Sequence, residues 1–243
     1  MGKNKIHEQE LALEEFAARG LIDDVIGVVK SGKEATVYAC RAGDRLLAAK
    51  VYRSEQVRRF HNNAVYTQGR LGRRNRYARA IEQRSRAGRE FAFSAWVSAE
   101  YETLSVLHRA GVGVPTPLAQ SGPVILMEYI GDEDSPAPPL SSVRLDDQEA
   151  REVFERLMQD IELMLACDRV HGDLSPFNVL YDGERAVIID FPQAVDPRSN
   201  HSALELLERD IDRICAYFER LGVAADARRL SRDLWGRFLR SEL

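Results

Sequence analysis

Apolar positions along the chain change period several times, and each change marks an element. Over residues 7–19 (HEQELALEEFAAR) Leu11 and Phe16 fall on one side of a helical repeat, and Gly20 stops it. Three strand-like runs follow at 25–30 (VIGVVK), 35–41 (ATVYACR) and 45–52 (RLLAAKVY), the last two joined by a turn at Ala42, Gly43 and Asp44. The stretch 54–89 has weak apolar periodicity with Gly69, Gly72 and Asn75 as breakers, and its first half reads as loop. A helical pattern returns from about Glu90 to Arg109, with Tyr101, Leu104 and Leu107 on one face. Gly111 ends it, and Pro115 and Pro117 oppose its continuation. Residues 124–130 (VILMEYI) predict a short apolar strand, and 131–139 (GDEDSPAPP) a connector. An amphipathic helix is expected over 147–166 through Val153, Leu157, Ile161 and Leu165, then two more over 202–221 and 225–240. There are no internal repeats. The order predicts an α+β fold in two lobes. Residues 1–130 form a mostly β N-terminal lobe with one inserted helix, residues 131–243 a mostly helical C-terminal lobe, and a ligand cleft is expected at the junction.

Composition narrows this picture. No run approaches the roughly 18 apolar residues of a spanning helix, and the N-terminus (MGKNKIHEQE) lacks the apolar core of a signal peptide, so no membrane partner is expected. Cys40, Cys167 and Cys215 are odd in number and far apart, which argues against a disulfide framework and for a reducing cytoplasm. The formal net charge of −4 hides an asymmetry: ten arginines and one acid (Glu82) lie between Arg58 and Arg89. That stretch is either a solvated loop or a surface for a polyanion such as RNA or nucleotide phosphates.

The candidate chemistry lies in four places. Lys50 ends an apolar strand (LLAAK) and is either a strand-end surface lysine or a phosphate-binding cation. Glu100 or Glu102 on the following helix could hold it; Glu100 is favoured because Tyr101, Leu104 and Leu107 then lie at +1, +4 and +7. The turn KSGKEATVY (30–38) has small residues, Ser31, Gly32 and Ala35, that would let main-chain amides and a hydroxyl approach phosphate, although a plain β-turn looks the same. The fourth place is the most specific. His171, Asp173 and Asn178 match H-x-D-x-x-x-x-N, the spacing of a kinase catalytic loop, and the apolar run AVIID then delivers Asp190. Asp173 would accept or orient the proton of an attacking hydroxyl, while Asn178 and Asp190 are hard oxygen ligands suited to Mg²⁺. His171 is expected to be a structural hydrogen-bonding residue. Phosphoryl transfer from ATP is the reaction this set fits.

These residues resemble the RIO family of atypical protein kinases and ATPases, its type-one branch above all, and the resemblance runs from about Leu21 to Gly222. It is carried by SGKEATVY (31–38), AAKVYR (48–53), EYETL (100–104), MEYIG (127–131), SPAPPLSSVRL (135–145), HGDLSPFN (171–178), IIDFPQAV (188–195) and HSALELLERDI (201–211). It implies a two-lobed, kinase-like fold and an ATP- and Mg²⁺-dependent serine/threonine kinase, with Mn²⁺ as an alternative metal. The catalytic set it implies is Lys50, Glu100, Asp173 and Asp190, with Asn178 and Asp190 on the metal. The ATP-binding set is Ser31, Gly32, Lys33, Val37, Ala48, Lys50, Met127, Glu128, Ile130 and Asn178. Met127 would sit behind the adenine, and the main chain of Glu128 and Ile130 would pair with its edge. In this family the metal-binding aspartate can itself be phosphorylated, which makes Asp190 a candidate acceptor in an ATPase cycle.

Departures from conventional protein kinases are clear. SGKEAT stands where G-x-G-x-x-G would be, Asp190-Phe191-Pro192 replaces D-F-G, and no A-P-E element follows. A groove for an extended peptide is therefore not expected, and autophosphorylation or ATP hydrolysis is favoured. Two other readings remain: a small-molecule phosphotransferase of the aminoglycoside or choline type, for which no substrate-binding insert is evident, and a nucleotide-gated module binding RNA or a ribosomal particle through 54–89.

Overall fold

The structure, a computed structural model, describes residues 13–53 and 86–243, and in the second stretch the side chains from residue 93 onward. Residues 7–12 of the first expected helix and 54–85 of the basic stretch lie outside the described residues. Residues 13–18 are helical and stop as expected at Gly20, whose φ is +67°. Gly20 N–H donates to Ala17 O and Leu21 N–H to Phe16 O, the pairing that closes a helix through a left-handed glycine.

Five antiparallel strands follow: β1 (Asp24–Ser31), β2 (Ala35–Ala42), β3 (Arg45–Tyr52), β4 (Pro117–Ser121) and β5 (Val124–Glu128), in the order β1-β2-β3-β5-β4. Strand alternation gives the sheet two different faces. On one, Cys40, Leu47, Ala49, Val51, Val124 and Leu126 pack with Phe16 and Ile22 into a buried core. The other carries Val37, Ala48, Lys50, Ile125 and Met127, because Val37 lies opposite Lys50, Lys50 opposite Ile125 and Ala48 opposite Met127.

Strand β4 was not expected, because Pro115 and Pro117 look like breakers. It is an edge strand that starts at Pro117, one of the few sheet positions where a missing N–H costs nothing. The expected strand over 124–130 ends at Glu128. Helix α1 (Arg86–Arg109) begins four residues before the expected start at Glu90, absorbing Gly88 and the end of the basic stretch.

Helix α2 (Asp147–Ala166) matches its expected span. It is closed by a capping box in which Asp146 accepts from the Gln148 and Glu149 N–H groups and Glu149 accepts from the Asp146 N–H. Strands β6 (Val179–Tyr181) and β7 (Ala186–Ile188) form a short hairpin, followed by α3 (Ala203–Glu219) and α4 (Ala227–Leu239). Among the described residues, the chain separates into two compact units. One takes in 13–53, 86–102 and 116–129, the other 103–115 and 130–243. No described helix is long and apolar enough to cross a membrane.

Within the second unit, the loop after α1 is wedged between α2 and β7. Gly113 N–H donates to buried Asp160, and Gly113 O accepts from Ile188 N–H at 2.7 Å. A Cβ at Gly113 would lie 2.8 Å from Ala186 O, so only glycine fits this approach.

Candidate phosphoryl-transfer site

The first unit aims a lysine at a glutamate. Tyr52 packs edge-on against Trp96 with ring centroids 4.8 Å apart, which ties β3 to α1. Lys50 lies two residues before Tyr52 on the same strand face, and Glu100 lies one turn after Trp96 on the same helix face. The result is a hydrogen-bonded ion pair: Lys50 Nζ donates to Glu100 Oε1 at 2.8 Å, with residue exposures of 8% and 3%. The ammonium also lies 5.1 Å from the Tyr52 ring centroid. Glu102, the rival partner from sequence, is exposed.

Ser31, Gly32 and Lys33 sit, exposed, at the β1–β2 turn, which Gly32 N–H closes by donating to Ala35 O. Val37, Ala48, Lys50 and Met127 share a sheet face, as the register above requires. Glu128 N–H is committed to Thr116 O, and its carboxylate accepts from Thr116 N and Oγ1. Any adenine contact by this residue would therefore use its carbonyl. Ile130 belongs to the second unit, where its carbonyl accepts from Ala137 N–H, leaving its N–H as the group to consider.

The second unit holds the loop 171–178. Buried His171 uses both ring nitrogens: Nδ1 accepts from the Asp173 N–H at 3.2 Å, so Nε2 carries the proton and donates to Ile189 O at 3.1 Å. Its ring also packs 4.7 Å from that of Phe191. One neutral imidazole thus fixes the residues on both sides of Asp190, itself held at a φ of +73°, which is rare outside glycine. The β6–β7 hairpin brings Asn178 and Asp190 to one end, because Val179 pairs with Ile188 and Ile189 N–H donates to Asn178 O. Asn178 Nδ2 donates to the Asp173 carbonyl at 2.9 Å, leaving its amide oxygen as an acceptor.

That oxygen and the Asp190 carboxylate suit Mg²⁺, which takes few protein oxygens and completes its shell with water and phosphate. Among the described residues, no group of three or more His, Cys, Asp or Glu side chains could cage a metal unaided.

Comparison with known proteins identifies the family. The model of the RIO domain (RIO1) matches residues 36–230. The chain belongs to the RIO family. It is 32% identical over 214 residues to the serine/threonine-protein kinase RIO1 of Caenorhabditis elegans, covering 88% of this chain and 40% of that protein. It is 34% identical over 218 residues to the RIO-type kinase Rio1 of Haloferax volcanii, covering 88% and 70%. The human RIO1 kinase is 32% identical over 216 residues, covering 88% and 36%. The chain thus spans about two fifths of the animal relatives it matches. The Rio2 kinase of Chaetomium thermophilum, solved as an ADP/Mg²⁺-phosphoaspartate complex, superposes with a TM-score of 0.66 at 23% identity, covering 93% of this chain and 66% of that one. The fold is the α+β, kinase-like fold.

In this RIO domain the residues that sequence reading missed come from α3. Asp210 accepts from the Gly172 N–H at 2.7 Å and the Leu174 N–H at 2.9 Å, Arg209 donates to Gly172 O, and Arg213 donates to Asp173 Oδ1 at 2.8 Å. Burial pushes the Asp210 carboxyl up to about 7, against the pull of those two N–H donors and of Arg209 and Arg213. A signal was present. Asp210 occupies the apolar stripe of α3 with Leu206, Leu207, Ile211 and Ile214, where a carboxylate needs a reason. Asp160 breaks the stripe of α2 in the same way, and it holds Gly113.

Proposed function

We propose that this chain is an ATP- and Mg²⁺-dependent, RIO-type serine/threonine kinase that autophosphorylates or turns over ATP as a switch. The observation that carries the reading is the loop 171–178, whose backbone is held from α3 while Asp173, Asn178 and Asp190 emerge together. Lys50, aimed by Glu100, would bind the α- and β-phosphates. Asp173 would accept or orient the proton of an attacking hydroxyl, and Arg213 engages only one of its carboxylate oxygens. Asn178 and Asp190 would hold Mg²⁺ or Mn²⁺, which when bound offsets charge on the phosphates. Ser31, Gly32, Lys33, Val37, Ala48 and Met127, with the Glu128 carbonyl and the Ile130 N–H, complete the nucleotide set.

The Rio2 neighbour's phosphoaspartate favours a second, linked outcome. An Asp190 carboxylate oxygen attacks the γ-phosphorus, the bond to the β–γ bridging oxygen breaks, ADP leaves with the electron pair, and water later hydrolyses the acyl phosphate. The free thiols Cys40, Cys167 and Cys215 support a reducing, cytoplasmic setting. We assign the basic stretch 54–89 to contact with RNA or a ribosomal particle.

The test is incubation with γ-labelled ATP and Mg²⁺, with Asp190→Ala alongside. Acid-stable label on serine or threonine supports the kinase, and base-labile label lost in Asp190→Ala supports the acyl phosphate. Neither label nor released phosphate from the wild type would overturn the reading.

A further inference from the structure

The backbone around Asp173 is fully committed. Its N–H donates to His171 Nδ1 and its carbonyl accepts from Asn178 Nδ2, while α3 holds Gly172 and Leu174 on either side. What this leaves free is the Asp173 side chain, with two rotatable bonds and two like carboxylate oxygens. Among the described residues one group fixes it: Arg213 Nη1 donates to Asp173 Oδ1 at 2.8 Å. The loop supplies no cation of its own, since residues 172–177 read GDLSPF. Arg213 comes instead from the face of α3 that carries Arg209 and Asp210 one turn earlier.

Stability does not account for this pair. Its side chains are 40% and 41% exposed, and an ion pair so open to water adds little to folding. Its effect is geometric. A charge-assisted hydrogen bond is directional, and turning the carboxylate to exchange its oxygens would break this one. With Oδ1 held by Arg213, Oδ2 is the oxygen left without a donor among the described residues. A group that takes or orients a proton must sit within hydrogen-bond reach of it, so a fixed Oδ2 is what an attacking hydroxyl requires.

We propose that Arg213 is a positioning residue for phosphoryl transfer: it holds the Asp173 carboxylate in one orientation, with Oδ2 presented to the attacking hydroxyl. The inference rests on the kinase reading above and deepens it. It gives Arg213 no contact with the nucleotide, so its loss should lower kcat and leave KM for ATP nearly unchanged.

Steady-state consumption of γ-labelled ATP with Mg²⁺ by the full chain tests it. The proteins compared are wild type, Arg213→Ala, Arg213→Lys, Asp173→Ala and the double variant Arg213→Ala/Asp173→Ala, with thermal unfolding recorded for each. Arg213→Ala is expected to lower kcat about tenfold, a modest share of what positioning can contribute, with KM within about twofold and thermal unfolding close to wild type. Arg213→Lys can still donate one bond to Oδ1 and should recover part of the loss. In the Asp173→Ala background the arginine substitution should cost nothing further, because no carboxylate is left to orient. Unchanged kcat in Arg213→Ala would overturn the proposal, and so would a raised kcat, which would mark the pair as a brake. A tenfold loss that persists in the Asp173→Ala background would also overturn it, by placing the effect on Asp210 or on folding. Each of these results leaves the kinase reading standing. Wild type that consumes no ATP would overturn that reading, and the role of Arg213 with it.

Discussion

A lysine only 8% exposed persists in a β-strand when something neutralises it, and Glu100 does so at 2.8 Å. Removing one partner of such a pair strands the other charge, at a cost of about 3–5 kcal/mol, whereas replacing both with apolar residues can be nearly neutral. Glu100→Ala is therefore expected to lower unfolding free energy in urea by about 3 kcal/mol. The double variant Lys50→Met/Glu100→Leu should recover most of that stability and still show no phosphoryl transfer. A double variant that stayed active would separate Lys50 from the chemistry. Sequence spacing could name Glu100 over Glu102 because the choice depends only on which helix face carries Leu104 and Leu107.

At the scale of elements, α3 is the scaffold of the loop 171–178, and Asp210 is the residue through which it grips the backbone. Its carboxyl is raised by burial from the ordinary range to about 7. The folded state therefore favours the protonated form. The stability this group contributes is fully present below the unfolded value near 4 and is lost as pH rises through about 7. Unfolding free energy followed from pH 5 to pH 8 should show a downward component in the wild type that is missing from Asp210→Ala. An unchanged pH profile in the variant would mean that Asp210 is ionised throughout. Asp210→Ala should also lower kcat, since the Gly172 and Leu174 N–H groups lose their acceptor.

Element order was largely legible, since β2, β3 and β5 are short apolar runs and α2, α3 and α4 each bury one helical stripe. Strand β4 was not, because a proline that begins an edge strand looks the same in sequence as a proline that breaks one. The site divided by distance along the chain. His171, Asp173, Asn178 and Asp190 lie within twenty residues of one another and share a motif. The α3 partners lie some 36 to 40 residues further on, and no local pattern links Asp210 to Gly172 or Arg213 to Asp173.

For the whole molecule, the proposed roles divide between the two compact units: the Lys50–Glu100 pair and the β1–β2 turn belong to one, the loop 171–178 and Asp190 to the other. The charge distribution adds a separate expectation. Ten arginines against one acid between Arg58 and Arg89 should bind RNA with an affinity that falls steeply as salt rises. Equal affinity after deletion of residues 66–86 would exclude that stretch as the contact. The central claim, that this chain moves the γ-phosphoryl group of ATP by means of Asp173, is tested most directly by single-turnover consumption of γ-labelled ATP, with and without Mg²⁺, in wild type and Asp173→Ala. Mg²⁺-dependent consumption that falls about a hundredfold or more in Asp173→Ala is the predicted result. Equal consumption by the two proteins would contradict it.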